Sequence, residues 1–542
     1  MRTSARELLE QLLDRDSFVS WDRPPVAVAV TQRYHDDLRK AAELAGIDES
    51  VLTGTGLLRG RPVAVIACEF GFLAGSIGVA AAERIVAAVE RATELGLPLL
   101  ASPTSGGTRM QEGTIAFVQM VKIAGAITAH KSAGYPYLVY LRNPTMGGVF
   151  ASWGSLGHIT FAEPGALIGF LGPRVYQALY GKPFPEGVQT AENLYHRGVI
   201  DGVLSVLVFR RIAHRALSVF SGAQFPAVGA GQRIGAQPAT VLEADPWPRL
   251  PQSTPVAAEP SAADSDGHST ARSRADEAPG HYEDNPVWQS VLISRRPQRP
   301  GIRDLLRHVT QRVPLSGTGQ GESDRATVLA LGRFRGQPCV VFGHDRCGQP
   351  GENTMGPAAL REARRSMALA QELRLPLVLI IDTAGAALSK EAEEGGLAPE
   401  IARCIADLVT LDTPTVSVLI GQGTGGGALA LLPADRVLAA TNAWLAPLPP
   451  EGASVIVFRD TDHAPELAAA QRIGARALLA DGVVDRIVPE RPDAADEPVD
   501  FARRMVAAIA QELETLRARP KSEIRAQRQT RYRRLGLPGA AG

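Results

Sequence analysis

The sequence predicts an α/β protein built from two tandem copies of one β-β-α domain. Three observations support this prediction. Short apolar runs that end in glycine turns alternate with helical patterns, similar segments recur in the two halves of the chain, and a stretch rich in Ala, Pro, Ser and Asp separates the halves.

Each half opens with a strand–turn–strand pattern centred on an Arg-Gly pair, LRGRPVAVIA at 58–67 and FRGQPCVVFG at 334–343. A helical pattern then leads into a buried apolar strand with a glycine turn, and a second helical pattern leads into another such strand. Strands that alternate with helices in this way favour largely parallel sheets. The helical patterns cover 78–95 and 112–130 in the first half, and 360–373 and 399–411 in the second.

Matching residues of the two halves keep a nearly constant separation of 276 to 280 positions. Chance similarity would not hold this register over such a length, so we interpret the halves as a tandem duplication. The matched pairs are Gly60 and Gly336, Pro98 and Pro376, Gly147 and Gly425, and Asp201 and Asp481.

The predicted domains are 1–221 and 286–542. The intervening stretch, 222–285, has little apolar periodicity. Such a composition cannot bury enough surface to offset its ordering entropy, so it is predicted to be a disordered linker.

The composition argues against several classes of protein. Lys+Arg and Asp+Glu both number 57, which gives no net field for nucleic acid or an anionic membrane. The four cysteines form no C-x-x-C pair and the ten histidines show no ligand spacing, so no metal is expected. No apolar run approaches the length of a membrane span. A soluble cytoplasmic protein is the expectation.

Residues 421–430, GQGTGGGALA, contain the G-x-G-x-x-G pattern of dinucleotide-binding sites. Such sites also need an acidic residue about 20 positions later, on the next strand. Position 446 is an alanine, and the counterpart segment 144–151 keeps only the Gly-Gly pair. A dinucleotide site is therefore not predicted.

Both halves instead preserve a strand, a Gly-Gly pair and a helix of small residues, with a second glycine turn upstream at 105–108 and 383–386. Exposed backbone N–H groups in two such turns are typical of an oxyanion hole. The alternative is that the glycines only allow tight strand–helix packing. Recurrence in both halves favours the oxyanion hole.

Other candidate residues carry weaker signals. Arg109 and Glu112 adjoin a glycine turn, where a structural ion pair or helix cap is favoured over catalysis. Arg174 could meet a phosphate or lie in solvent. Cys68 and Cys404 stand in apolar runs and are predicted to be core thiols.

Long motifs in both halves resemble the carboxyltransferase of acetyl-CoA carboxylase. The first half resembles its β subunit, and the second half resembles its α subunit. The β-like motifs are ACEFGFLAGSIG (67–78), SPTSGGTRMQEG (102–113), NPTMGGVFASWGSLG (143–157) and AEPGALIGFLGPRV (162–175). The α-like motifs are RPGIRDLLRHV (299–309), LPLVLIIDTAGA (375–386), GQGTGGGALALLPADRV (421–437) and PEGASVIVFRDTDHAPELAAAQRI (450–473).

The resemblance implies two tandem crotonase-like (ClpP/crotonase) β-β-α superhelix domains in a fused β–α chain of actinobacterial type. It also implies the reaction. Carboxybiotin on a separate carrier protein releases CO2, the biotin nitrogen removes the α-proton of an acyl-CoA, and the enolate attacks CO2. Acetyl-CoA would give malonyl-CoA. Two oxyanions form, so two oxyanion holes are expected, with no metal.

The resemblance assigns the holes to specific residues. The N-terminal hole would hold the thioester oxygen of acyl-CoA, and the C-terminal hole the ureido oxygen of biotin. The expected partners are a biotin carboxylase and carrier protein, together with further copies of this chain, because the family forms its active site between lobes of facing protomers. The predicted residues are Gly106, Gly107, Gly147 and Gly148 in the N-terminal lobe, and Gly385, Gly426, Gly427 and Ala428 in the C-terminal lobe.

The sequence departs from the family at several points. No four-cysteine zinc ribbon precedes the β-like half, Ala384 and Gln422 replace the usual Pro and Glu, and the loop 386–396 differs. These changes predict that the pocket of the α-like half is altered. Two alternatives stay open, a biotin-independent malonyl-thioester decarboxylase and a non-catalytic scaffolding subunit of a carboxylase complex.

Overall fold

The computed structural model describes residues 2–28, 31–220, 285–349 and 354–537. The predicted linker, 222–285, lies outside the described residues except for its last position. The two lobes on either side of it are built on the same plan.

The N-terminal lobe is a seven-stranded sheet in the order β1-β2-β3-β4-β5-β7-β9, with β6 and β8 paired separately. Its strands are β1 (Val19–Ser20), β2 (Val51–Leu58), β3 (Arg61–Cys68), β4 (Leu99–Ser102), β5 (Tyr137–Leu141), β6 (Thr145–Met146), β7 (Ile159–Ala162), β8 (Ile168–Gly169) and β9 (Gly202–Val203). Its helices are α1 (Ala5–Leu12), α2 (Gln32–Ala45), α3 (Val79–Glu94), α4 (Gly113–Ser132), α5 (Gly147–Phe150), α6 (Pro173–Tyr180), α7 (Ala191–His196) and α8 (Val206–Phe220).

The C-terminal lobe is a sheet in the order β10-β11-β12-β13-β14-β15-β17, with β16 paired to β14. Its strands are β10 (Gln311–Leu315), β11 (Thr327–Phe334), β12 (Gln337–His344), β13 (Leu377–Thr383), β14 (Thr415–Thr424), β15 (Arg436–Ala440), β16 (Trp444–Ala446) and β17 (Arg486–Val488). Its helices are α9 (Pro286–Ser294), α10 (Ile302–Leu305), α11 (Pro357–Glu372), α12 (Lys390–Glu394), α13 (Leu397–Thr410), α14 (Gly425–Leu429), α15 (Pro450–Phe458), α16 (Ala464–Ala470), α17 (Ala475–Ala480), α18 (Pro498–Arg517) and α19 (Lys521–Arg534).

The structure confirms the predicted repeat. In each lobe an antiparallel hairpin, β2–β3 or β11–β12, is followed by parallel strands. The hairpin turns have positive φ at both central residues, 51° and 79° at Arg59 and Gly60, and 45° and 90° at Arg335 and Gly336. These angles belong to the turn type that matches the twist of paired strands, which explains the repeated Arg-Gly pair.

The two lobes pack against each other through α4 and α13, and one apolar cluster runs through both. Nearly every face of α4 is buried, as expected for a helix between two layers. A Cβ at Gly125 would lie 3.2 Å from Cγ1 of Val409, so glycine lets these helices approach closely. The Thr114 hydroxyl on α4 donates to the Leu445 carbonyl at 2.9 Å, which ties the lobes at the end of the contact.

Among the described residues, no helix combines the length and apolar character needed to cross a bilayer. Among the same residues, no group of His, Cys, Asp and Glu side chains is arranged to hold a metal ion.

Candidate active site

The N-terminal site forms where the turn after β4 meets the start of α5. Gly107 has φ +115° and Gly147 has φ +64°, conformations that favour glycine. A Cβ on Gly147 would lie 3.5 Å from Cα of Gly107, and one on Gly107 would lie 3.8 Å from N of Gly148. The structure therefore brings the two predicted glycine pairs of this lobe together.

The C-terminal site repeats this arrangement between the turn after β13 and the start of α14. Gly385 has φ +143° and Gly425 has φ +59°. A Cβ on Gly427 would lie 3.3 Å from N of Ala386 and 3.5 Å from C of Gly385. The first residues of α14 thus face the upstream glycine turn, as in the N-terminal lobe.

The hydrogen bonds distinguish the donors in these two sites. Gly106 N–H donates to the Ala74 carbonyl at 2.8 Å, Gly107 N–H to Ser105 Oγ at 3.0 Å, and Gly385 N–H to Thr383 Oγ1 at 3.1 Å. These three N–H groups are engaged within the fold. Gly148, Gly426 and Gly427 are the second or third residues of α5 and α14, where an N–H group has no intrahelical acceptor. Gly147 N–H is instead directed at the Gly169 carbonyl, because Met146 and Gly169 are paired in parallel register.

Ala428 is the fourth residue of α14 and fully buried. In a regular helix its N–H points to the carbonyl of the residue before the helix, whereas the N–H groups of the first three residues have no intrahelical acceptor. The N–H of Ala428 is therefore satisfied within the helix. The first residue of α14 is Gly425, which was not among the predicted site residues.

Sequence reasoning also missed Thr108 and Ala386. Each follows the glycine turn, and each forms a single parallel bridge that leaves its own N–H without an acceptor in the described residues. Thr108 Oγ1 would lie 2.9 Å from a Cβ on Gly148, so this residue borders the site. The two positions are 278 residues apart, the spacing of the repeat, and that register could have identified them.

Phe170 connects the two sites within one chain. Its carbonyl oxygen would lie 3.9 Å from a Cβ on Gly147, and its ring would lie 2.8 Å from a Cβ on Gly426. The backbone of one residue therefore borders the N-terminal site while its ring covers part of the C-terminal site. Both lobes of a single chain therefore contribute to this region.

Access differs between the two sites. Gly106 is exposed, and Gly147 and Gly148 are half-buried, whereas residues 425–428 are buried and Gly426 lies against the Phe170 ring. The upstream turn of the C-terminal site stays open, because Ala384 is exposed and Gly385 is half-buried. A ligand of that site would enter from this turn.

Arg109 and Glu112 are structural, as favoured from the sequence. The Arg109 guanidinium is 1% exposed and donates to Glu49 at 3.0 and 2.5 Å. Burial alone would lower the pKa of Arg109, but the Glu49 carboxylate outweighs it and raises that pKa. Glu112 accepts from the Tyr34 hydroxyl at 2.6 Å and from Val79 N–H at 2.6 Å, which caps α3.

Two of the altered features of the α-like half, Gln422 and the loop 386–396, make defined contacts. Gln422 donates its N–H to Asp382 at 3.0 Å and accepts from Arg295 Nε at 3.4 Å. Arg295 already forms a paired contact with Glu451 at 2.6 and 3.1 Å. A neutral amide at position 422 therefore avoids a second carboxylate beside this ion pair. The loop 386–396 forms α12 and reaches the N-terminal lobe.

Arg174 is the second residue of α6, and its side chain lies outside the described part of the structure. Its predicted role toward a phosphate or cofactor stays a prediction.

Cys347 should differ from the other three cysteines in the reactivity of its thiol. Cys68 and Cys404 are buried, as predicted, and so is Cys339, whereas Cys347 is exposed. Burial raises the pKa of Cys68 to about 11 and also raises those of Cys339 and Cys404. We expect Ellman's reagent to modify Cys347 alone in the native protein and all four thiols in denaturant. Loss of the rapid phase in Cys347→Ser checks the assignment, and a rapid phase that persists would contradict it.

Comparison with known families agrees with this architecture. Residues 2–255 match the family described as "Carboxyl transferase domain", and residues 263–536 match "Acetyl co-enzyme A carboxylase carboxyltransferase-like". The two matches confirm the predicted tandem of crotonase-like domains. The hexameric 12S transcarboxylase core aligns over 96% of this chain and 91% of its own, with 20% identity and a TM-score of 0.36.

Two relatives cover nearly the whole chain. The probable biotin-dependent acyl-coenzyme A carboxylase beta3 subunit of Mycobacterium tuberculosis is 60% identical over 538 residues, 99% of each chain. The acetyl-coenzyme A carboxylase carboxyl transferase subunits beta/alpha of Parafrankia sp. is 36% identical over 568 residues, 100% of this chain and 87% of its own. The chain therefore belongs to the carboxyltransferase family of the acyl-CoA carboxylases, with its β-type and α-type domains fused in one polypeptide.

Proposed function

We propose that this protein is the carboxyltransferase of a biotin-dependent acyl-CoA carboxylase and that it converts acetyl-CoA to malonyl-CoA. The observation that carries the proposal is the pair of matching sites, each with unpartnered N–H groups facing a glycine turn. Transfer of a carboxyl group between biotin and a thioester creates negative charge on two oxygens. Two oxyanion holes joined across Phe170 suit that requirement.

The N-terminal site binds the thioester. The N–H groups of Gly148 and Thr108 donate to its carbonyl oxygen, and these bonds strengthen as the α-proton leaves and the enolate forms. Because these donors are held by the fold before the substrate binds, little reorganisation accompanies the charge change. The half-buried state of Gly147 and Gly148 leaves room for the acyl group.

The C-terminal site suits the ureido oxygen of biotin, since Ala386, Gly426 and Gly427 offer N–H groups that lack acceptors in the described residues. When bound, carboxybiotin supplies the carboxyl group and the nitrogen base. The chain's part is to hold that oxygen, keep water away with the Phe170 ring and admit the carrier's biotin past Gly385.

The proposal includes partners. The biotin carboxylase and the biotin carrier protein would be separate chains, because no A-M-K-M biotinylation site occurs in this sequence. Further copies of the chain would assemble with it, as in the hexameric 12S core named above.

The reverse reaction tests the proposal. Purified protein is incubated with malonyl-CoA, with and without free biotin, and loss of malonyl-CoA is followed. We expect biotin-dependent decarboxylation that is strongly reduced in Gly427→Pro, which lacks one donor. Gly427→Ala is the matched control, because it adds the same Cβ and keeps the N–H.

Each other outcome points elsewhere. Decarboxylation without biotin would support a malonyl-thioester decarboxylase. No turnover by folded protein would contradict the acetyl-CoA assignment, and assays with methylmalonyl-CoA and longer carboxyacyl-CoA esters would then separate another substrate from a scaffolding subunit.

A further inference from the structure

A further contact between the lobes is made by Glu393, a buried residue of α12. Glu393 is 4% exposed, and its Oε1 accepts the N–H of Phe170 at 2.8 Å and the Nε2 of Gln189 at 2.6 Å. Both donors belong to the N-terminal lobe, whereas Glu393 belongs to the C-terminal lobe. This carboxyl therefore holds the backbone of the residue that lies between the two sites.

Gln189 supports the same contact. It is 3% exposed, and its Nε2 also donates to the Leu171 carbonyl at 2.8 Å. A Cβ on Gly169 would lie 2.4 Å from that nitrogen, so the glycine leaves space for the amide. The backbone groups of Phe170 and Leu171 are thus held by one carboxyl and one amide.

We infer that Glu393 is a positioning residue for carboxyl transfer, acting through the Phe170 N–H to keep the Phe170 ring at the C-terminal site. This inference rests on the proposed function. If the hydrogen bond is removed, the 169–171 segment can shift, and the ring no longer covers Gly426. A ligand of the C-terminal site then loses one wall of its pocket, and water gains entry.

The protonation of Glu393 is an independent marker of this role. Burial raises the pKa of Glu393 to about 7, although the Gln189 amide and the Phe170 N–H partly oppose the shift. A carboxyl whose pKa is raised in the folded state stabilises the contact below its unfolded pKa. That stabilisation is lost as the pH rises through about 7.

Within the described part of the chain, no nearby charged group stabilises the ionised form of Glu393. None contributes to its pKa, and its helix neighbours Lys390 and Glu391 are charged with opposite signs. Several charged groups on the elements packed around it have other partners. These are Glu394 with Arg197 at 2.8 Å, Glu400 with Arg403 at 2.8 Å, and Glu192 with the N–H of Gly165 at 2.8 Å.

Three variants of the full chain test the inference. Glu393→Ala removes the acceptor, Glu393→Gln keeps an acceptor oxygen but cannot ionise, and Glu394→Gln is a neighbouring control that also faces the N-terminal lobe. We expect Glu393→Ala to raise KM for free biotin and to lower kcat by up to about 10²-fold, the loss that a displacement of about 1 Å can cause. Glu394→Gln should retain wild-type kinetics.

The pH profile gives a readout that a purely structural role would leave unchanged. Between pH 6 and 8 the activity of the wild type relative to Glu393→Gln should fall as Glu393 ionises. Wild-type kcat and KM in Glu393→Ala would overturn the inference, as would a ratio that is constant with pH.

Hydrogen exchange separates this inference from the proposed function. Peptides covering 167–172 should exchange faster in Glu393→Ala and should stay protected in Glu393→Gln. Unchanged exchange in Glu393→Ala would overturn the inference even if the wild type is active. Biotin-independent or absent turnover by the wild type would instead overturn the proposed function.

Discussion

Gly148→Pro should lower kcat for biotin-dependent carboxyl transfer by about 10²- to 10³-fold, the usual effect of removing one oxyanion donor. The residue is the second of α5, where proline is tolerated because the N–H has no intrahelical acceptor. The substitution therefore removes the donor and leaves the helix able to form. Steady-state kinetics of the reverse reaction with malonyl-CoA and free biotin measure the loss.

Gly148→Ala is the matched control for this prediction. Its Cβ meets Thr108 Oγ1 at the same 2.9 Å as the proline Cβ would, but its N–H remains. The alanine variant should therefore lose only the activity that the contact between its Cβ and Thr108 Oγ1 removes. Equal kcat in the two variants, with melting temperatures that agree, would show that the Gly148 N–H does not stabilise the enolate.

Arg109→Met should lower the free energy of unfolding by about 3–5 kcal/mol, the range found when one partner of a buried ion pair is removed. The guanidinium is 1% exposed and neutralises Glu49, which is 2% exposed. Methionine fills much of the volume but leaves that carboxylate without a charge partner. Urea denaturation followed by circular dichroism measures the change.

The double variant Glu49→Gln/Arg109→Met tests whether the unpaired Glu49 carboxylate causes the loss of stability. Replacing the orphaned carboxylate by an amide should recover part of the lost stability, so the two changes should be strongly non-additive. Additive losses would show that packing of Arg109 against Phe72, whose ring centroid lies 5.4 Å from the guanidinium carbon, matters more than the ion pair. Folded Arg109→Met should keep its KM for malonyl-CoA, since the Arg109 side chain bonds to Glu49, Ser50 and Ser76 and to none of the site residues.

Local pattern determined the repeated fold. The Arg-Gly turns at 59–60 and 335–336, the helical periods and the buried strands all recur with one spacing, and each depends on residues close together in sequence. Backbone conformation and burial of an amphipathic segment are decided largely by such neighbours. The sequence could therefore place Gly147 and Gly425 at the starts of short helices in matching positions.

The sequence did not predict which backbone N–H groups are free to bind a ligand. Gly106 and Gly148 look equivalent in the sequence, yet one N–H is bonded to Ala74 and the other has no acceptor in the described residues. That difference depends on a carbonyl more than 30 positions away from Gly106 in sequence, which no local pattern encodes.

By itself the sequence determined the duplication, the family and the glycine turns of both lobes, because a spacing of about 278 residues and long motifs are visible without coordinates. Only the tertiary structure decided that Phe170 joins the two sites and that Glu393 holds it there. Those contacts cross 223 positions of sequence and depend on how two complete domains pack. The burial that shifts the pKa of Glu393 exists only once both lobes have met.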